Sequence, residues 1–423
     1  MAGLFLLSAQ GGIDLTEKDE PIVPDLPETG YEPMSDHRRR RRLMAALAAA
    51  FLLGSFFTFG AGGVFLKLRE NNRPISQQKL SEIQKLIEGN YLFDVDEEAA
   101  ANAAAAGYAG TLDQYSRYRN SEEYADFQAH NDGSLCGIGV TVAQYAEDSL
   151  YVLFLSDDSP ADGIILPGDE IVAVEGERVA DLGYTDTVSK IRGQEGTSVS
   201  LTIRRDGEET EVSVMRADIV NDGIHALTIG NIGYVRVSAF NNATPEAFEK
   251  AVDSLQADDS VTGLIFDLRG NGGGLLTSVA QMLDYLLPEG NLVSKTDKSG
   301  KTTVLYTSDA DCVSLPMIVL VNGSTASAAE LFACDLQEYG AATIVGTTTF
   351  GKGVMQTTYS LSDGSALTLT TDYYNPSSGK NYNGVGVIPD IVCEMTEEEQ
   401  KNFAFFDPDR DPQLRAALDA LSG

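Results

Sequence analysis

The fold class predicted for this chain is α/β with a β-rich insertion, preceded by a helical segment and one apolar span. Three observations predict it. From about residue 218, apolar runs of strand length alternate with helical patterns. Between 133 and 216, short alternating runs bounded by Gly, Pro and Asp take over. Residues 43–66 carry no charged side chain at all. At 423 residues and 43% hydrophobic, the chain is long enough to build two or three packed cores.

The first 37 residues are acidic and weakly apolar, and are expected to form a disordered cytoplasmic tail. Arg38 to Arg42 follow without interruption. Next comes "LMAALAAAFLLGSFFTFGAGGVFL", residues 43–66. As a helix it reaches about 36 Å, enough to cross a bilayer core of about 30 Å. The arginines hold the N-terminus on the cytoplasmic side, so the chain after Lys67 is expected outside the cell membrane. A cleaved signal peptide is the competing reading, but both the apolar run and its leader are long for one. The net charge of -33 leaves no basic face for phosphates and excludes nucleic acid as a partner. Cys136, Cys312, Cys334 and Cys393 form no CxxC pair and have no neighbouring His, so neither a metal site nor any cofactor is expected. One disulfide remains open.

Residues 76–126 read as helices. Leu80, Ile83, Leu86 and Ile87 repeat at three-four spacing, and an alanine-rich stretch follows. Packing or a dimer contact is the role expected of this segment, rather than chemistry.

Residues 133–216 read as strand, strand, short helix, Pro-Gly-Asp turn, strand, helix, strand, strand. "GIGV" followed by "SPADGIILPGDEIVAVEGERV" resembles a PDZ domain. The resemblance implies a groove that adds a peptide as an extra strand and takes its C-terminal carboxylate on backbone N–H groups. Leu135, Cys136, Gly137, Ile138 and Gly139 are then the peptide-binding loop. The bland alternative is an ordinary small β domain.

Farther on, "IGYVRVSAF", "VTGLIFDLRGN", "PMIVLVNG" and "AATIVGTTT" read as buried strands between helices. The stretch "NGSTASAAELFACDLQEYG" places Ser324, Thr325 and Ser327 at the mouth of a helix. Ala329, Phe332, Ala333 and Leu336 give that helix one apolar face, and Gly340 ends it. A hydroxyl there is either a helix cap, worth about 1 kcal/mol, or a nucleophile.

A nucleophile needs a base. Of the three histidines, His37 lies on the cytoplasmic side, while His130 and His225 have no flanking motif, so a Ser-His-Asp triad is poorly supported. Lys352 sits between Gly351 and Gly353, just after a buried strand. Burial lowers a lysine pKa and lets the free amine accept a proton. Gln356, four residues on, is placed to orient that amine.

"NGSTASAAELFACDLQEYGAATIVGTTTFGKGVMQ" resembles the catalytic core of the C-terminal processing peptidases, also called tail-specific proteases. In that family a Ser-Lys dyad is supported by a Gln. Its nucleophile precedes a Glu by three positions and the lysine by twenty-five. Here those spacings select Ser327, Glu330 and Lys352, with Gln356 at the Gln position. "GLIFDLRGNGGGLL", "YYNPSSGKNYNGVGVIPDI" and "LDQYSRY" also fit. The resemblance implies a ClpP/crotonase-type catalytic core. Its oxyanion hole would be formed by the amides of Ala328 and of Gly272 or Gly273. It departs from the family at Ala329, where Ser is frequent. "GNGGG" lacks the GxGxxG spacing of a dinucleotide site.

The resulting expectation is a membrane-anchored, extracytoplasmic serine endopeptidase acting on proteins or peptides with accessible C-termini. A catalytically silent membrane adaptor that binds such tails through the PDZ groove is the alternative. The resemblance allows a homodimer through the terminal segments. The expected organisation is a tail (1–37), an anchor (38–68), a helical segment (69–130), a PDZ domain (131–217), a catalytic domain (218–397) and a C-terminal segment (398–423).

Overall fold

A computed structural model describes residues 74–156, 159–400 and 407–422. The expected tail and the apolar segment 43–66 lie outside the described residues. Among the described residues, no helix is long and apolar enough to cross a membrane. The described residues fall into two units, divided between Val95 and Asp96. In the first, helix α1 (Ile75–Asn90) exposes Leu80, Ile83, Leu86 and Ile87, the residues of its three-four stripe.

The second unit opens with α2 (Glu97–Ala109), capped by Asp96, whose side chain accepts the Ala99 N–H. Strand β1 (Arg117–Arg119) and helix α3 (Ser121–Asp132) follow. Asn120 and Glu123 form a reciprocal capping box on α3. Strand β2 (Ser134–Gly137) then leads into a β-rich domain of β3 (Val140–Ala146), β4 (Ser149–Leu155), β5 (Glu170–Val174), β6 (Glu177–Arg178), helix α4 (Val179–Ile191), β7 (Ser198–Arg205) and β8 (Glu208–Met215). Strand β9 (Ala217–Val220) leaves the domain and pairs antiparallel with β2, closing its neck. The sheet runs β3-β4-β5-β7-β8, which leaves β3 on an open edge. Its core is Ile138, Leu150, Val152, Ile165, Ile171, Leu201 and their neighbours, supplied by the alternating strand pattern.

The remaining chain forms two sheets. One contains β10 (Ile224–Ile229), β11 (Ile232–Val237), β12 (Gly263–Asp267), β15 (Met317–Val321), β16 (Ala342–Gly346) and β19 (Ile391–Val392). After the β10–β11 hairpin every pairing is parallel. Helices α5 (Thr244–Gln256), α6 (Leu276–Leu286) and α7 (Ala328–Glu338) make the crossovers. All five residues of β12 and of β15 are buried, as expected of parallel strands covered on both faces. Phe240, Phe248, Phe266 and Phe332 meet in the main core at centroid distances of 5.3 to 6.1 Å. The opposite face packs on Leu414 and Ala417 of α9 (Pro412–Ser422), which follows the short α8 (Glu397–Gln400).

The second sheet is antiparallel, ordered β1-β18-β13-β14 with β17 also on β18: β13 (Gly290–Asp297), β14 (Thr302–Ser308), β17 (Val354–Ser360) and β18 (Ala366–Asn375). Two expectations change here. The segment before residue 131 is not purely helical: β1 pairs with β18 and joins the catalytic sheet. Helix α7 does not bury a single face. Every residue from Ala328 to Leu336 is buried, Glu330 and Asp335 included, because the helix is enclosed by its neighbours; Glu330 accepts the Ser327 amide and Asp335 Oδ1 the Ser377 amide. All four cysteines are free thiols.

Candidate active site

The three hydroxyls of the serine loop separate by environment. Ser324 is exposed. Thr325 is fully buried, donates to the Leu268 carbonyl (2.9 Å) and accepts the Asn322 N–H (3.0 Å). Ser327 is the N-cap of α7 with φ 59° and ψ -120°, one of three non-glycine residues with positive φ in the described chain. A non-glycine residue held there is strained by of order 1–3 kcal/mol, and such strain concentrates at functional turns. The surroundings impose it through the Ser327 amide, which donates to Glu330 Oε2 at 2.8 Å.

Glu330 is the centre of the site. Its Oε1 accepts Thr349 Oγ1 and the Gly351 amide, both at 2.6 Å. Its Oε2 accepts the Ser327 and Lys352 amides, both at 2.8 Å. One fully buried carboxylate therefore pins the serine turn to the lysine loop. Two tyrosines make a second tie. Tyr374 donates to the Lys352 carbonyl (2.6 Å), and Tyr382 donates to Tyr374 (3.1 Å) and to the Ser327 carbonyl (3.3 Å). Burial pushes both phenols up, so they act as donors and not as charges.

Ser327, Ala328, Gly272, Lys352 and Gln356 line one cavity of about 720 Å³. Lys352 is half-buried, and its ammonium lies 4.6 Å from the centroid of the Tyr115 ring. Burial lowers the Lys352 pKa below the ordinary lysine value, against the opposing pull of Glu330 and Asp113. Such a side chain gives up its proton more readily than a surface lysine. Among the described residues, Lys352 Nζ makes no hydrogen bond to Ser327 or Gln356. Gln356 Nε2 donates to the Val354 carbonyl (3.3 Å) and to Thr370 Oγ1 (3.2 Å).

The glycine run lies against the serine turn. A Cβ on Gly273 would fall 2.7 Å from the Ala326 carbonyl oxygen and 2.8 Å from Ser327 Cβ, so only glycine fits. The Gly273 amide donates to Asn271 Oδ1 at 2.8 Å, and Gly273 does not line the cavity. A Cβ on Gly273 would also fall 2.9 Å from the Ala328 amide nitrogen, so the expected pair of oxyanion donors, Ala328 with Gly272 or Gly273, sits at one turn. Ala329, at the position where the family often has Ser, is fully buried in the apolar core.

The proposed peptide-binding loop is in the β-rich domain and is only partly a loop. Leu135, Cys136 and Gly137 are strand residues paired with Ile219, Asp218 and Ala217. Ile138 is 1% exposed and belongs to the domain core. Gly139 has φ 78°, and a Cβ there would fall 2.2 Å from that of Ser159. The open edge of β3 and helix α4, broken at Gly183, flank a cavity of about 400 Å³ lined by Gln144, Ala146, Glu147, Ala180 and Gly183. Neither His130 nor His225 lines the cavity of Ser327; His225 stacks on Phe154 at 4.4 Å.

Sequence reasoning missed Tyr115 and Arg119, both of which line the serine cavity. It also missed Asp113, whose Oδ1 accepts the Tyr115 and Ser116 amides (2.8 and 2.9 Å) and Thr370 Oγ1 (3.0 Å). The motif "LDQYSRY" was the available signal, but its place in the site depends on a strand partner far away in sequence.

Known proteins place the chain in a family. Residues 231–393 match the model of Peptidase family S41, and residues 135–215 match a PDZ domain. The chain is 30% identical over 373 residues to a carboxy-terminal-processing protease of Bartonella bacilliformis, covering 85% of this chain and 84% of that protein. It is 29% identical over 376 residues to a probable CtpA-like serine protease of Staphylococcus aureus, covering 86% of this chain and 75% of that one. A crystal structure of a putative S41 protease from Bacteroides fragilis has the same fold, with TM-score 0.53, 19% identity and coverage of 79% of this chain and 91% of that one. The chain therefore belongs to peptidase family S41, as a PDZ-bearing serine protease of the carboxy-terminal-processing kind.

Proposed function

We propose that the chain is a membrane-anchored, extracytoplasmic endopeptidase in which Ser327 is the nucleophile and Lys352 its general base. The observation that carries this reading is the strained Ser327 turn and the half-buried Lys352 lining one cavity, their amides 2.8 Å from the same Glu330 oxygen. The neutral Lys352 amine takes the proton of Ser327 Oγ as Oγ attacks the scissile carbonyl. The amides of Ala328 and of Gly272 or Gly273 receive the oxyanion. The Lys352 ammonium returns its proton to the leaving amine, and an acyl-enzyme remains. Water, deprotonated by the same amine, then releases the acid. Gln356 Oε1 orients the amine, since its Nε2 is engaged by Val354 and Thr370. The Ser–Lys hydrogen bond forms when substrate fills the cavity, as apo geometries at such sites are commonly loose.

The PDZ domain holds the substrate's C-terminus by adding it to the open edge of β3. The charge-free segment 43–66 and the preceding five arginines support the membrane assignment. The test is cleavage of an unfolded protein by the full-length chain in detergent. Ser327→Ala and Lys352→Ala should each abolish turnover, and amidated substrate tails should be cut more slowly than free ones. Full activity in either variant contradicts the dyad, and equal rates on both kinds of tail contradict capture by the PDZ domain.

A further inference from the structure

The serine cavity contains a second cation that the dyad does not use. Arg119, at the end of β1, lines the cavity and is half-buried. Its guanidinium lies 4.0 Å over the Phe127 ring, and its NH1 donates to Thr368 Oγ1 at 2.8 Å. Among the described residues that is its one hydrogen bond, and no carboxylate lies within ion-pair distance of it. Glu123, the acid that most favours its charge, is occupied in the capping box of α3, where Asn120 N–H donates to its Oε2 at 3.1 Å. Asp132, which also lines the cavity, accepts Asn242 Nδ2 at 2.7 Å. Arginine stays protonated at any working pH, so this is a permanent charge held by an aromatic ring with donors to spare.

Its position relative to the reaction centre follows from strand register. Gln356 and Thr358 lie two residues apart on β17, opposite Thr370 and Thr368 of β18. Gln356 bonds Thr370, and Thr358 bonds Thr368, the residue that holds Arg119. One two-residue step along a strand is about 6.8 Å. An extended polypeptide advances by the same step. A group meeting Arg119 is therefore about two residues from the one at the level of Gln356.

We propose that Arg119 is a specificity-determining residue that receives a carboxylate of the bound polypeptide about two residues from the position facing Gln356. This rests on the reading of the cavity as the peptidase site. The carboxylate is either an Asp or Glu side chain or the chain's own C-terminus. Both present two oxygens to a forked donor, a geometry that arginine matches.

The test uses the full-length chain and a set of peptides that share one cleavable sequence. A single Glu-for-Gln replacement is walked along them, and each is made with a free and an amidated C-terminus. The readout is the ratio of kcat/KM between paired peptides, which does not depend on the fraction of active enzyme. Wild type should favour Glu over Gln at one position by about tenfold or more. Arg119→Met should bring that ratio near one, Arg119→Lys should keep part of it, and Arg119→Glu should favour Lys at the same position. An amidation penalty that Arg119→Met removes identifies the terminal carboxylate as the ligand instead. The proposal is overturned if no position prefers Glu and Arg119→Met leaves the amidation penalty unchanged, or if a Glu preference survives in Arg119→Met. Failure of wild type to cut even the neutral peptides would instead count against the peptidase reading of the cavity.

Discussion

Glu330 and Asp267 are both fully buried carboxylates in the catalytic domain, satisfied in opposite ways. Asp267 is neutralised. Arg269 reaches it through Nε and NH2, with NH2 at 2.7 Å, and Tyr234 donates to it as well. Burial pushes the Asp267 carboxyl up, but the Arg269 guanidinium outweighs it and holds the pKa below the usual range. The same Arg269 bonds Asp411 (3.0 Å) and Gln413 (3.2 Å), tying α9 to the sheet. Among the described residues, no cation makes an ion pair with Glu330. Three backbone amides and one hydroxyl satisfy it, and its charge acts on Lys352 in the direction that hinders proton release. A carboxylate that works against the base and is still built into the site is there for geometry. The first network fastens the fold; the second fixes where two loops stand.

Four changes break or sharpen that contrast. Arg269→Met leaves Asp267 and Asp411 buried without their cation. It should lower stability by roughly 3–5 kcal/mol, read as a fall in the denaturant midpoint. Glu330→Gln keeps the shape but sets an NH2 against N–H donors. It should lower kcat/KM by about a hundredfold, near 3 kcal/mol of transition-state stabilisation, with a smaller loss of stability. Equal losses from Arg269→Met and Glu330→Gln in both activity and stability would erase the distinction.

Asp335 gives a third, smaller effect. Burial holds its carboxyl well above the ordinary range, and its Oδ2 is buried without a hydrogen-bond partner among the described residues. The folded state therefore holds that proton more tightly than the unfolded chain does. Its contribution to stability is complete below the ordinary carboxyl pKa and is lost as pH rises through the raised one. Asp335→Asn should flatten that decline and stabilise the protein at pH 8 by about 1 kcal/mol. Thermal unfolding across pH reads it. The smallest effect belongs to Asp113, whose carboxylate raises the Lys352 pKa from an exposed position. Asp113→Asn should move the acid limb of the pH–rate profile slightly to lower pH, and least at high salt.

Ser327 and Lys352 were legible as candidates because each stands just after a buried parallel strand, on short loops rich in small residues. Glu330 was legible as part of a spacing but not as a staple. Its four donors come from residues three to twenty-two positions away, a local cluster that only the folded loops bring together. Arg119 and Tyr115 were not legible. They enter the site because β1 pairs with β18, a contact that closes over 249 residues between Arg119 and Thr368. Propensity and periodicity carry no information about such a pairing. The same reason explains why Leu135, Cys136 and Gly137 read as a free loop: their strand partners are Ala217 to Ile219. The glycine requirement at Gly273 was legible as part of a glycine run, but not its close approach to the serine turn, which the folded loops create.

The central claim is that an unprotonated Lys352 activates Ser327. The most direct measurement is the rate at which a serine-directed phosphonate labels the full-length chain as a function of pH, with the modified residue identified by mass spectrometry. Labelling is predicted at Ser327, rising with pH through one ionisation below the ordinary lysine value, and lost in Lys352→Ala. Labelling of Lys352→Ala at the wild-type rate, or with no dependence on that ionisation, would contradict it.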